Sequence, residues 1–454
     1  MGVNITFLGG AQTVTGSKYL VRHGDRSLLV DCGLFQGYKA LRLRNRAPLP
    51  YAPDQLDAIV LTHAHLDHSG YLPLLAKEGF EGKVYASAGT RDLCKILLPD
   101  SGHLQEEDAL FANRHGFSKH EPALPLYTRQ DALDSLALIK VLEVGKRYQP
   151  IPGWFVTLSN AGHILGANSV LLEVADRRIL FSGDLGRPDD TLMKEPDRPP
   201  MADTVLVEST YGNRSHPADN LLHELAPALQ RLAGRGGVAV VPVFAVGRAQ
   251  ALLHAIAQLK HEGAVPKHLP VFLDSPMAVH TTHLFEHHLG EHRLSKHEVH
   301  EMTRCATMVT SVDDSKALAS RHGPMVILAA SGMATGGRVL HHLAQHAGKH
   351  RNMVILTGYQ SPGTRGATLA SGARTVRIHG RDVAVEAEVV QLETASAHAD
   401  ANQVLRWLRA MPHSPQQVYV VHGELEAADA LRARIEHELH WRAMVPEHGS
   451  TWPC

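Results

Sequence analysis

Four groups able to bind a metal ion, His63, His65, Asp67 and His68, stand within six residues, directly after the apolar run Ala58–Leu61. Three imidazoles and a carboxylate make a borderline-soft nitrogen and oxygen ligand set, which suits zinc. Alternate side chains of an extended segment share a face, so His63 and His65 can grip one ion together. Asp67 and His68 follow where Ser69-Gly70 and Tyr71–Leu75 predict a turn entering a helix, and they can address a second ion. The stretch seeds a two-metal site but cannot complete one. In a chain with 32 histidines a lone His says little; the H-x-H-x-D-H order behind a strand carries the signal.

More ligands must come from other strand ends. The expected strands 3–8, 17–23 and 27–31 open the chain, with Gly24-Asp25 as a hairpin turn, and Asp31 closes the third beside glycines. Val156–Leu158 leads into a glycine-flanked His163, where backbones approach closely. Ser169–Val174 and Arg178–Phe181 form a hairpin that ends at Asp184. Taken singly, Asp31 serves a turn, and His163 or Asp184 a structural role, about as readily as a metal site. The combination resembles the metallo-β-lactamase-fold hydrolases, whose hallmark is the histidine-aspartate motif. The resemblance implies that His63, His65, His163 and Asp184 hold one zinc, that Asp67, His68 and Asp184 hold a second, and that Asp184 bridges. It implies that His422 completes the second set and that Asp31 orients ligand groups from behind. Two cations at roughly 3.5–4 Å can activate a nucleophile and offset developing charge in phosphoryl transfer.

After strand Thr204–Val207 the pattern changes. Expected helices at 219–234, 248–262, 277–290 and 337–348 alternate with strands at 237–243, 271–273, 325–330 and 353–357, which predicts a parallel sheet flanked by helices. Hairpin character returns after Gly372. The expected division is therefore 1–208 and 375–454 as one αββα metallo-β-lactamase sandwich, with 209–374 an inserted α/β domain. Glu208-Ser-Thr-Tyr-Gly, Ser396-Ala-His398-Ala-Asp400 and Val421-His422-Gly-Glu424 resemble the three extra motifs of the β-CASP nucleases. In that family a His at the last motif marks the RNA-acting branch, and DNA-acting relatives carry Val. The resemblance implies a zinc-dependent ribonuclease with two Zn2+ that hydrolyses single-stranded RNA as an endonuclease, a 5′-exonuclease or both. His398 would be the general acid, with Glu208 on its other ring nitrogen.

Three glycine-rich loops end strands of the insert: Phe244–Arg248, Ser331–Arg338 and Gly358–Gly366. Backbone N–H groups at helix starts, with Arg248, Arg338, Ser331 and Gly336, offer phosphate contacts that would clamp a strand by its backbone. The same loops serve equally as plain strand–helix turns. The His-rich stretch 280–300 is expected to be a solvated helical face.

Composition bounds the alternatives. An apolar fraction of 44% with 20% charged residues is ordinary globular composition. A net charge of −1 gives no global basic footprint, although metal ions add local positive charge. Cys32, Cys94, Cys305 and Cys454 form no C-x-x-C pair, the start lacks a signal-peptide pattern, and no run of about 20 apolar residues occurs. A cytoplasmic protein is expected; a homodimer is compatible with the sequence and not specified by it. A small-molecule hydrolase of the same fold would share the metal set without needing the insert, Glu208 or His398. A non-catalytic scaffold would have lost ligands, and none is missing here.

Overall fold

The computed structural model describes residues 2–116, 120–217, 220–358, 360 and 363–454. Asp219 of an expected helix and Tyr359, Ser361 and Pro362 of the third glycine-rich loop lie outside the described residues.

Strand Thr204–Glu208 is buried along its whole length because each face meets a different layer. Leu206 points into a core shared with Phe7, Phe181 and Tyr419, whereas Val205 and Val207 meet Leu405, Leu408 and Leu431 of two helices. A strand covered on both faces reads as a continuous apolar run. This strand sits inside a seven-stranded sheet: Ala443–Met444, Gln417–Val421, Thr204–Glu208, Arg177–Phe181, Asn168–Val174, Trp154–Asn160 and Arg147–Ile151 in spatial order. A second seven-stranded sheet runs Thr451–Pro453, Asn4–Gly9, Lys18–His23, Arg26–Val30, Ala58–Val60, Lys83–Ala86 and Ile139–Val141. Ile5, Phe7, Val21, Val30 and Val60 of this sheet interlock with Val156, Leu172, Phe181 and Tyr419 of the other. Each such side chain contributes roughly 1.5–3 kcal/mol on burial. Helices Ala401–Arg409 and Leu425–Arg434 cover one outer face, and the long helix Ala88–His115 packs with Arg129–Ser135 beside the edge strand Ile139–Val141. This is the αββα metallo-β-lactamase sandwich, and one compact unit joins Met1–Ser215 to His398–Cys454.

The other compact unit, His216–Ala397, is the inserted α/β domain. Its six-stranded sheet is all parallel, in the order Thr307–Val309, Val271–Asp274, Met325–Ala329, Val238–Pro242, Met353–Thr357 and Glu388–Leu392. The sequence places the chain's return near 375, but the segment up to Ala397 builds onto this unit. Hairpin Thr375–Ile378/Arg381–Ala384 buries Val376 and Ile378 in the same core, and Glu388–Leu392 pairs with Met353–Thr357. Arg231 and Arg235 hold Glu388 at 2.8 and 2.5 Å. Strand alternation is the same whichever sheet a segment joins, so local pattern does not reveal the partner.

Candidate metal centre

Most residues of the centre lie at or just beyond the ends of strands. Asp31 follows Arg26–Val30, His63 follows Ala58–Val60, and Asp184 follows Arg177–Phe181. Glu208 is the last residue of its strand, and His422 follows Gln417–Val421. Asp67 and His68 lie in the short helix Leu66–Ser69, and Cys32 N–H donates to the His68 carbonyl at 2.7 Å. His398 is pinned by a bridge to Gly186 and by Ala399 N–H donating to the Leu185 carbonyl at 2.7 Å. Asp400 then caps helix Ala401–Arg409.

Two groups of ligand atoms converge. In the first, His65 Nδ1 lies 3.1 Å from His63 Nε2 and 3.3 Å from His163 Nε2. Asp184 Oδ2 lies 3.5 and 3.6 Å from the same two Nε2 atoms. In the second, His68 Nε2 is 3.2 Å from His422 Nε2, and Asp67 Oδ2 is 3.3 Å from His422 Nε2 and 3.7 Å from His68 Nε2. The other oxygen of Asp184, Oδ1, is 3.3 Å from His68 Nε2, so one carboxylate faces both groups. A tetrahedral ion with ligands at about 2.0–2.2 Å needs its donors about 3.3–3.6 Å apart. The observed spacings fall around that range.

Charge makes the same case. Asp31, Asp67, Asp184 and Glu208 are gathered here with histidines as their ion-pair partners, and among the described residues none pairs with Lys or Arg. Asp184 Oδ1 is buried and accepts no hydrogen bond among the described residues. Buried carboxylates without a cation are costly, and metal coordination is the usual answer. Burial drives His63 well below the ordinary imidazole range and pushes His65 down to about 4, leaving both neutral as metal ligands must be. Burial opposes ionisation of Asp184, but His422, His68 and His63 outweigh it and hold its carboxyl well below the usual range. Burial likewise works against a charged His68, yet Asp184, Asp31 and Asp67 raise it well above the ordinary value. The proton that His68 attracts stands where a metal's charge would act.

Supporting contacts fix the rings. Asp31 accepts from Thr62 N–H at 2.7 Å and from Thr62 Oγ1 at 2.9 Å, and its Oδ2 lies 2.7 Å from His68 Nδ1. Thr62 Oγ1 also lies 3.1 Å from His63 Nδ1. Thr210 Oγ1 sits 3.2 Å from His422 Nδ1. Neither threonine is singled out by the sequence; Thr62 adjoins His63 and Thr210 lies within the Glu208–Gly212 motif, and that placement is the available signal. Asp31 and His422 both adopt left-handed backbone, with φ of 60° and 48°, which aims them at the centre at a cost of about 1–3 kcal/mol each. Beside the first group, His398 Nδ1 lies 3.2 Å from both oxygens of Glu208 and 3.9 Å from Asp184 Oδ2. Glu208 is buried and is itself held by Leu185 N–H at 2.6 Å.

Three family descriptions tile the chain: the metallo-β-lactamase superfamily at residues 13–221, the Beta-Casp domain at 249–369, and the Zn-dependent metallo-hydrolase RNA specificity domain at 382–446. Ribonuclease TTHA0252 of Thermus thermophilus is 36% identical, the match covering 94% of this chain and 95% of that protein. The chain belongs to the β-CASP metallo-β-lactamase family. Transcription termination factor FttA of Methanosarcina mazei is 30% identical over 96% of this chain and 69% of its own length. Integrator complex subunit 11 of Gallus gallus is 27% identical over 99% and 73%. A crystal structure of an Enterococcus faecalis protein of unknown function shares the fold, with 16% identity, full coverage of both chains and a TM-score of 0.55.

In this β-CASP chain the four expected phosphate contacts occupy the insert in different ways. Arg338 turns inward, to Asp274 Oδ1 at 2.7 Å and the Thr310 carbonyl at 2.7 Å. Arg248 donates to the Thr357 carbonyl and lies 5.0 Å from the Phe244 ring. Ser331 Oγ accepts from Thr335 N–H at 3.0 Å, and Gly336 has open space on its Cα. The two arginines therefore brace loops within the insert, because buried strand-end acceptors compete for them. The stretch 280–300 is not one solvated helix: it comprises the end of Pro276–His287, a turn, and the start of Lys296–Arg304. His292 is buried in that turn against Phe285. No helix among the described residues is long and apolar enough to cross a membrane.

Proposed function

We propose that this chain is a zinc-dependent ribonuclease that hydrolyses phosphodiester bonds of single-stranded RNA, within the strand or from its 5′ end. The observation that carries this reading is the buried Glu208 gripping His398 Nδ1 beside Asp184, an acid–base pair added to a two-metal ligand set. A hydrolase needing only the metals has no use for it. The relative named a ribonuclease and the RNA specificity domain favour RNA as the substrate.

His63, His65, His163 and Asp184 would hold one zinc, and Asp67, His68, His422 and Asp184 the other. Two such ions supply Lewis-acid polarisation of the phosphate and lower the pKa of water. The chain's own residues do the rest. Asp31 keeps the His68 ring in one orientation, and Thr210 does the same for His422. Glu208 takes the Nδ1–H of His398 and, as a facing carboxylate, favours the doubly protonated ring, whose Nε2–H gives its proton to the departing ribose oxygen and leaves a neutral imidazole.

The test uses zinc-replete protein with 5′- and 3′-end-labelled single-stranded RNA, wild type against His398→Ala. The variant should keep its metal and lose about 10²–10⁴-fold in turnover. Turnover near wild type would remove His398 as the acid, and intact RNA with the wild-type protein would remove the ribonuclease reading. Product lengths separate internal cutting from 5′ trimming.

A further inference from the structure

Between Gly33 and Pro53 the sequence contains no aspartate or glutamate, yet it carries Lys39, Arg42, Arg44 and Arg46. The chain as a whole is balanced at −1, so this is a strong local excess. Elsewhere basic side chains find acids, as Arg434 finds Glu438 at 2.7 Å and Arg147 finds Glu173 at 2.8 Å. Lys39, Arg42 and Arg44 are exposed, and among the described residues their side chains form no hydrogen bond or ion pair. Arg46 is exposed too, and among the described residues it donates to the Leu124 carbonyl at 2.6 Å and pairs with no acid. The facing acid is Asp108 of helix Ala88–His115, which feels Arg42 electrostatically without pairing to it. Tyr38, 59% exposed, stands in the same segment.

The segment is built as a projection. Asn45 is buried and clasps its base, with Phe35 N–H donating to Asn45 Oδ1 at 2.9 Å and Asn45 Nδ2 donating to the Phe35 carbonyl at 2.8 Å. Phe35 is packed under the Lys18 ammonium at 4.6 Å and against His448 at 5.8 Å. The root of the projection belongs to the metal centre. Cys32 N–H and Leu34 N–H donate to the carbonyls of His68 and Leu66, on either side of Asp67. Exposed cations interleaved with an aromatic ring suit a flexible polyanion whose bases can stack.

We infer that the segment Gln36–Arg46 is a docking surface for the backbone of single-stranded RNA, set at the rim of the metal centre, with Lys39, Arg42 and Arg44 on phosphates and Tyr38 under a base. The inference rests on the ribonuclease reading for the identity of the strand. It adds where that strand is held on the sandwich unit, which neither the ligand motifs nor the glycine-rich loops address.

The experiment measures fluorescence anisotropy of a labelled 20-nucleotide single-stranded RNA over a salt series, in a full-length His398→Ala background that keeps the strand intact. Lys39→Gln/Arg42→Gln/Arg44→Gln should weaken binding about tenfold or more. It should also flatten the slope of log affinity against log salt by about 2, from about 0.7 per phosphate contact for single strands. Arg42→Lys/Arg44→Lys should keep the slope, and Tyr38→Ala should lose about fivefold or more in affinity with no change of slope. Thermal melts check that each variant folds. Wild-type protein that cuts RNA, with a folded triple variant that binds like its parent at every salt, overturns the surface alone. Wild-type protein that cuts nothing overturns the ribonuclease reading, and loss of binding in the triple variant would then still support the surface.

Discussion

Asp184 of the sandwich unit and Asp274 of the inserted unit are both buried aspartates at strand ends, both in contact with histidine, and they differ in what else surrounds them. Asp274 has its cation built in: it accepts from Arg338 Nη1 at 2.7 Å, His342 Nε2 at 2.6 Å and Ser315 Oγ at 2.5 Å. Asp184 is ringed by His63, His68, His163 and His422, pairs with no Lys or Arg among the described residues, and keeps one oxygen without a hydrogen bond. A buried carboxylate with a guanidinium is a finished ion pair. One surrounded by imidazole nitrogens at ligand spacing still requires positive charge from outside the chain. The difference separates a brace from a binding site better than burial, which the two share.

The largest effect should come from Asp184→Asn. Both ligand groups lose their shared anion, so metal analysis after dialysis should find fewer than one ion per chain, and RNA cleavage should fall about a thousandfold or more. Two retained ions would remove the bridging role. Asp274→Ala should do the opposite: metal content equal to wild type, with the insert destabilised by about 3 kcal/mol because Arg338 and His342 lose their acceptor. Denaturant midpoints and metal analysis on the same sample test both halves.

The pH dependence sharpens this second case. Burial opposes ionisation of Asp274, but its hydrogen bonds from His342, Ser315 and Arg338 outweigh that and hold its carboxyl below the ordinary 3.8. A depressed carboxyl gives stability that is fully present above the unfolded value and lost as pH falls through the folded one. The gap between wild type and Asp274→Ala should therefore be full near pH 7 and shrink well below pH 3.8; an equal gap at both would assign it to packing instead. The smallest effect belongs to Asp31→Asn, which leaves every candidate ligand in place and loosens the contacts of Asp31 with the His68 ring and the Thr62 hydroxyl. Metal affinity in a chelator competition should weaken about 10–100-fold, with stoichiometry kept at saturating metal.

The resemblance carried by the motifs named the candidate ligand set, and the structure brings those side chains together in two groups. Thr62 and Thr210 escaped because a hydroxyl beside a ligand has no distinguishing pattern until the ring it touches is in place. The same limit explains the insert. Helix and strand periods are visible through 219–357, but the expected return of the chain at 375 falls short, because residues to Ala397 belong to the inserted unit. Arg338 shows it at one residue: a guanidinium in a glycine-rich loop looks available to phosphate until Asp274, 64 positions away, takes it.

By itself the sequence determined which atoms are available: the histidines and carboxylates at strand ends, the insert between Glu208 and His398, and the acid-free stretch after Asp31 with its four basic residues. These depend on side-chain chemistry and local period, which act over a few residues. Only the tertiary structure decided which oxygen of Asp184 faces which group, that Glu208 and His398 meet across 190 positions, and which buried aspartate already has its cation. Those outcomes depend on long-range packing of two sheets against each other, and no local pattern encodes a distance between segments far apart in the chain.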